Sequence, residues 1–379
     1  MVLEFVVLDF VNVSLQQVEE LIGAATSARL SEVESMLQLP QDPNLADQSG
    51  WTALAHAVYE NHLGIARVLV EAGSRLDVAV GEGRWMPLSL AARHHGGGVG
   101  MAKLLLEAGA SIDSRDAHGC TALALAADSA DTEVVRLLLL EGAGVDLTDN
   151  YGCTALIRAS ASCRGHAEVV QCLLDFGSNA HHMSHAGTAL VFASRAGHDA
   201  IVRLLLKHKA QVDDYAVFCA SDKGHVNCVR LLLEAPGWRN ARSSFARRCY
   251  MSWSLARASR HGNADLVQVL LEARADMERP FSDFTALMEA SLYSRVDVVR
   301  VLLKAGCDTD ATDPDGTTAL MLASMTGHAE IVHMLLQAGA DKNVVSRDGT
   351  TAMMEASSWG HTQVMGLLKP RKRKSELLP

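Results

Sequence analysis

The sequence predicts an all-α repeat solenoid with short β-hairpin fingers, and three observations predict it. The stretch from Gly316 to Gly349 reads as two short helices followed by a hairpin, and most of the chain is a copy of it. The copies open on a Thr-Ala-Leu step, as in Thr318-Ala319-Leu320, and turn at Gly-His, as in Gly327-His328. Neither helix of a copy hides its apolar face alone, so successive copies must stack.

Each element of the unit follows from its residues. Thr318 stands where a hydroxyl accepts from a backbone N–H that lacks a helical partner. Leu320, Ala323 and Ser324 share a face by i, i+3, i+4 spacing, and the small residues admit the second helix closely. Ile331, Val332, Leu335 and Leu336 form a broad apolar stripe on that second helix. Gly339 suits the left-handed conformation that ends helices. Residues 340–349 then lead away as a finger to the next copy.

The unit resembles the ankyrin repeat, with its period of about 33 residues and its T-P-L-H-x-A signature. Ala usually replaces the Pro here: Thr52-Ala53-Leu54, Thr121-Ala122-Leu123, Thr154-Ala155-Leu156, Thr188-Ala189-Leu190, Thr285-Ala286-Leu287 and Thr351-Ala352-Met353, while Met86-Pro87-Leu88 keeps it. Copies begin near Gly50, Arg84, Gly119, Gly152, Gly187, Tyr215, Ser252, Phe284, Gly316 and Gly349, and residues 16–49 form a divergent first one. The expected organisation is an N-terminal extension over 1–15, a stack of about ten to eleven repeats over 16–368, and a basic disordered tail over 369–379. The extension reads equally as a short strand or an extra cap. Its two acids and lack of a basic start exclude a convincing signal peptide.

Three departures interrupt the period. Gly96-Gly97-Gly98 and Ser160–Cys163 lengthen the inter-helix turn of two repeats, which costs little because loop entropy grows slowly with length. The third departure, over 213–250, combines a truncated hairpin with a long connector carrying Arg239, Arg242, Arg247 and Arg248. It is read as a break in the finger row, and as either a hinge or an ordinary drifted repeat.

Composition narrows the function classes. Hydrophobic residues make up 49% and aromatics only 5%, which suits stacked Leu/Ala helices. The net charge of −10 argues against direct nucleic-acid binding. No run reaches the ~18 apolar residues of a membrane span. The eight cysteines contain no C-x-x-C pair and are read as thiols of a reducing compartment. An intracellular protein, cytoplasmic or nuclear, is expected, and a monomer. The basic run Lys369, Arg371, Lys372, Arg373 and Lys374 resembles a nuclear-import signal, or else is a solvated tail.

No catalytic set, metal site or cofactor site is expected. Gly96–Gly100 lacks the Lys-Ser/Thr ending of a phosphate loop and sits between helices. His181, His182 and His185 fall on a finger tip without helical ligand spacing. His166, His198, His225, His328 and His361 recur at the inter-helix turn. That recurrence marks a structural role, in which the imidazole bonds backbone groups that the turn leaves unpaired.

What the resemblance implies is a protein-binding groove lined by fingers and first helices, without catalysis. Carried onto this chain, its candidate residues include Trp51, Trp85, Arg93, His94, His118, Tyr151, Arg195, Arg260, Tyr293, Arg347 and Trp359. Aromatics and Arg dominate binding hot spots, so Trp51, Trp85 and Tyr151 are the expected anchors, with Tyr293 and Trp359 as an alternative pair. The expected role is a protein-interaction scaffold or adaptor. Alternatives are a recognition or regulatory subunit of a ubiquitin ligase or kinase, and a nuclear transcription regulator.

Overall fold

The structure, a computed structural model, describes residues 16–39, 42–94, 98–162, 165–240 and 245–369. The extension over 1–15, the glycines at 96 and 97, and the basic run from Arg371 to Lys374 lie outside the described residues. Lys369 is described and exposed.

Eleven helix pairs follow one another among the described residues, from 16–26 with Leu30–Leu37 to Ala352–Ser358 with Thr362–Leu368. Among the described residues, sheet structure is confined to the fingers. Met183–Ser184 pairs antiparallel with Gly187–Thr188, and single bridges join Ala46 to Thr52, Val80 to Trp85 and Thr312 to Thr318. The chain divides into two compact units, one over 1–192 with 207–210 and the other over 193–206 with 211–379. The division falls in the sixth repeat, and the irregular 213–250 stretch lies wholly in the second unit.

In the first unit, first helices pack on first helices and second helices on second helices. Thr52, Thr121 and Thr154 cap their helices, each hydroxyl accepting from the backbone N–H three residues on at 3.2–3.4 Å. Leu54, Leu88, Leu123 and Leu156, the residues two past the cap, are at most 1% exposed. They meet a second row of buried side chains, Ile65 and Leu69 in one repeat and Val134 and Leu138 in another. Three of these fingers close on an aspartate. Asp47, Asp116 and Asp149 each accept two backbone N–H bonds at 2.8–2.9 Å from the residues two and four ahead. Neighbouring fingers are joined through their backbones, Ala117 N–H to Gly83 O at 2.9 Å and Asn150 N–H to His118 O at 3.0 Å.

The second unit repeats this plan through Thr285, Thr318 and Thr351, and departs from it at the seventh and eighth repeats. Asp213, not a threonine, precedes the helix Asp214–Asp222 and accepts from Tyr215 N–H at 2.8 Å. The connector is helical in its described residues: Pro236–Asn240 forms one turn, and Phe245–His261 is a single 17-residue helix. That helix contains no Gly or Pro and is rich in good helix formers. It is packed in place. Arg247 donates through Nε to Asp214 Oδ1 at 3.0 Å and through Nη1 to Trp238 O at 3.1 Å, and its guanidinium lies 3.9 Å from the Trp238 ring. Among the described residues, this stretch carries a docked helix.

The histidines of the inter-helix turns share one role. Nε2 of His62, His94, His225 and His361 lies 3.0–3.2 Å from the carbonyl at the end of the preceding repeat's first helix: Thr26, Val58, Arg195 and Met325 O. Asn263 and Arg295 stand at the same point and donate to Gly224 O and Arg260 O. The glycine at the turn is required twice over. Gly327 has φ +78°, and a Cβ on it would lie 2.6 Å from the His361 ring.

Candidate functional site

Within each unit, side chains four, seven and eight residues past the helix cap come to the face shared by first helices and fingers. In the first unit this face opens into a cavity of about 850 Å³ lined by Trp51, His56, Tyr59, Glu60, Trp85, Arg93 and His94, among others. Trp51 precedes its cap residue on the finger and meets three rings: His56 at 5.2 Å, Tyr59 at 5.5 Å edge-on, and Trp85 at 6.3 Å edge-on. Trp85 carries the Arg93 guanidinium 5.1 Å from its centroid. Gly83 makes room for that ring, since a Cβ there would fall 2.4 Å from the indole. Both tryptophans are half-buried, and Tyr59 is 54% exposed.

Asp47 stands behind this cavity, paired with His56 on its wall. Burial alone would raise its carboxyl, but bonds from Ser49, His56 and backbone N–H groups hold it at about 2. Its Oδ2 lies 3.0 Å from His56 Nε2. The fifth repeat has the same device with an arginine: Arg158 Nε donates to Asp149 Oδ2 at 2.9 Å. Arg158 lines a second, polar cavity of about 580 Å³ with Arg93, His118, Asp128 and Cys120. Burial pushes the Cys120 thiol up to about 11, so it is a poor nucleophile.

The sequence-predicted residues are thus sorted. Trp51, Trp85, Arg93 and His94 meet in one cavity, where His94 also bonds Val58 O and serves the turn. His118 lines the polar cavity, and Tyr151 is 61% exposed on its finger tip. In the second unit Arg195 Nη2 donates to Tyr215 OH at 3.3 Å, and Arg260 lies 4.6 Å over the Tyr293 ring. Arg347 is exposed, its N–H on Asp315 O, and Trp359 is 65% exposed. Sequence reasoning missed Tyr59, His56, Arg158, Arg257 and Glu289. Their signal was position: each lies four or seven residues past its cap position, aligned with Leu or Ala in other copies. It also missed a ladder of half-buried rings in the interrupted region, Tyr215, Phe218, Tyr250, Trp253 and Phe281, with successive centroids 5.3–6.2 Å apart.

Among the described residues no group of three or more His, Cys, Asp or Glu is placed to hold a metal ion, and no helix is long and apolar enough to cross a membrane. The described cysteines are free thiols, all buried except half-buried Cys153.

A family model described as ankyrin repeats, in three copies, matches residues 21–116, 88–184, 160–242, 253–313 and 305–375. The chain belongs to the ankyrin repeat family. Curated relatives of these ankyrin repeats include the Ankyrin repeat protein nuc-2 of Neurospora crassa, 33% identical over 190 residues, which are 50% of this chain and 17% of that protein. The E3 ubiquitin-protein ligase XBAT33 of Arabidopsis thaliana is 37% identical over 81 residues, 19% of this chain and 16% of the ligase. The Palmitoyltransferase Hip14 of Drosophila melanogaster is 33% identical over 104 residues, 27% of this chain and 16% of the transferase. The matched segments thus span less than a fifth of each relative. The likeness to the two enzymes lies in the repeats.

Proposed function

We propose that these ankyrin repeats act as a non-catalytic adaptor that holds a protein partner, with the Trp51–Tyr59–Trp85 cavity as the principal anchor of the first unit. One observation carries this reading: three large rings from two adjacent repeats face one open cavity, in a chain where aromatics are only 5%. Rings of this kind, partly exposed and packed edge-on against one another, supply contact area at low entropy cost. Arg93, stacked on Trp85, adds donors at the cavity's edge.

The test is affinity capture from lysate with the full chain, identification by mass spectrometry, and titration of the captured protein against variants. Trp51→Ala combined with Trp85→Ala weakens binding while far-UV circular dichroism stays unchanged, and Tyr59→Ala, at a more exposed ring, does so with less risk to the fold. Unchanged affinity in both variants overturns the anchor.

A second reading is a recognition arm of an enzyme complex, favoured by the ligase and transferase among the relatives. A nuclear role rests on the basic run beginning at Lys369, and fractionation of cells with and without residues 369–379 tests it. In either case the partner is a protein, and the chain works as a monomer inside the cell.

A further inference from the structure

The second unit carries a face of different chemistry. The seventh, eighth and ninth repeats bring together Asp222, Lys223, Arg257, Arg260, Glu289 and Arg295. Arg257 Nε donates to Asp222 Oδ1 at 2.7 Å, and Lys223 Nζ lies 3.4 Å from Asp222 Oδ2. Arg295 Nε donates to Arg260 O at 2.9 Å, which brings a fourth cation to the cluster. Arg260 lies over the Tyr293 ring, which occupies the flat face of its guanidinium. Its edge N–H donors point to no acceptor among the described residues, and a stacked guanidinium keeps those donors free for a carboxylate.

The balance of charge is the second observation. Four cations stand against two carboxyl groups, in a protein whose net charge is −10. One of the two, Glu289, is only 4% exposed, and its Oε2 has no hydrogen-bond partner. Burial pushes that carboxyl up, toward the neutral form, although Arg260 and Arg257 oppose the shift. Burial first, and then Arg257 and Arg260 against the opposing Asp222, push the neighbouring His261 down. The remaining carboxylate, Asp222, is already held by Arg257 and Lys223.

We infer that this face receives an acidic protein segment, rich in Asp and Glu, whose carboxylates engage Arg260 and Lys223 beside the Tyr293 ring. The inference rests on the reading of these repeats as protein-binding and adds the chemistry of what the second unit takes. A short acidic segment fits within a patch of this size, whereas an extended nucleic acid also meets the field of a strongly negative protein. Bidentate carboxylate recognition by Arg supplies the specificity.

Fluorescence anisotropy with a fluorescein-labelled deca-glutamate peptide and the full chain tests this. The peptide binds, and binding weakens as salt rises from about 50 to about 200 mM. Arg260→Ala weakens it by roughly fivefold, as loss of one partly exposed charge contact does. Lys223→Ala, at an exposed side chain that no core contact needs, weakens it by a similar or smaller factor. Lys372→Ala with Arg373→Ala, in the basic tail, leaves it unchanged, as does Trp51→Ala with Trp85→Ala. Failure here is therefore separable from failure of the aromatic anchor. Binding as tight as that of the unmodified chain in both the Arg260 and the Lys223 variant, loss of binding in the tail variant, or tighter binding of a labelled deoxythymidine decamer each overturns the inference.

Discussion

The fifth repeat and the junction of the seventh and eighth repeats meet the same requirement by different means. In the fifth, a finger turns back on Asp149, whose side chain accepts two backbone N–H bonds and also holds Arg158. At the junction no such finger is seen among the described residues. A 17-residue helix runs there, and Arg247 reaches back to Asp214, 33 residues earlier, while five rings from neighbouring repeats pack in series. Both solutions satisfy polar groups that packing removes from water. One uses a local aspartate that any copy can carry, and the other needs partners in two repeats at once.

Asp149→Ala breaks the first solution and has the largest expected effect. It leaves two backbone donors and a half-buried guanidinium unpaired, at a cost of about 3–5 kcal/mol, read by urea denaturation of the full chain. Arg247→Ala breaks the second. It orphans the Asp214 carboxylate and the Trp238 carbonyl but no backbone donor, so the cost is smaller, about 1–3 kcal/mol. Hydrogen exchange then quickens over 214–261 and is unchanged over 319–368, as nearest-neighbour coupling in repeat arrays requires. Uniform quickening would show that the docked helix is not a local device.

Thr318→Ala removes a cap from a regular copy and costs about 1 kcal/mol, and Thr318→Ser restores most of it. The smallest effect has the opposite sign. The Glu289 carboxyl is raised in the folded protein, so ionising it costs stability above its folded pKa. That cost fades as pH falls into the ordinary carboxylate range, where folded and unfolded forms are both protonated. Glu289→Gln therefore raises the melting temperature slightly at neutral pH, and the gain disappears near about pH 4. A gain independent of pH would point to packing and not to charge.

Much of the fold was legible in the residues because its determinants are local. A cap hydroxyl bonds three residues ahead, an apolar stripe lies within one helix, and a turn histidine precedes its own helix. The interrupted region was less legible. Four arginines without an acid among them read as a loop, since Asp214, which neutralises Arg247, stands in the preceding repeat. The aromatic cavity was half legible. Trp51 and Trp85 stood out by type, but Tyr59 looked like an ordinary helix-end residue until the stack brought it to the edge of the Trp51 ring.

By itself the sequence determined the repeated helix pair, its caps, its leucine core and the need to stack, because these follow from periodicity within a single copy. Only the tertiary structure decided which side chains share a face. Each face takes one or two residues from each of several copies about 33 positions apart, and those positions hold His, Leu, Arg or Glu without any period of their own. The aromatic cavity of the first unit and the cationic cluster of the second exist because stacking sums side chains that the linear pattern keeps separate.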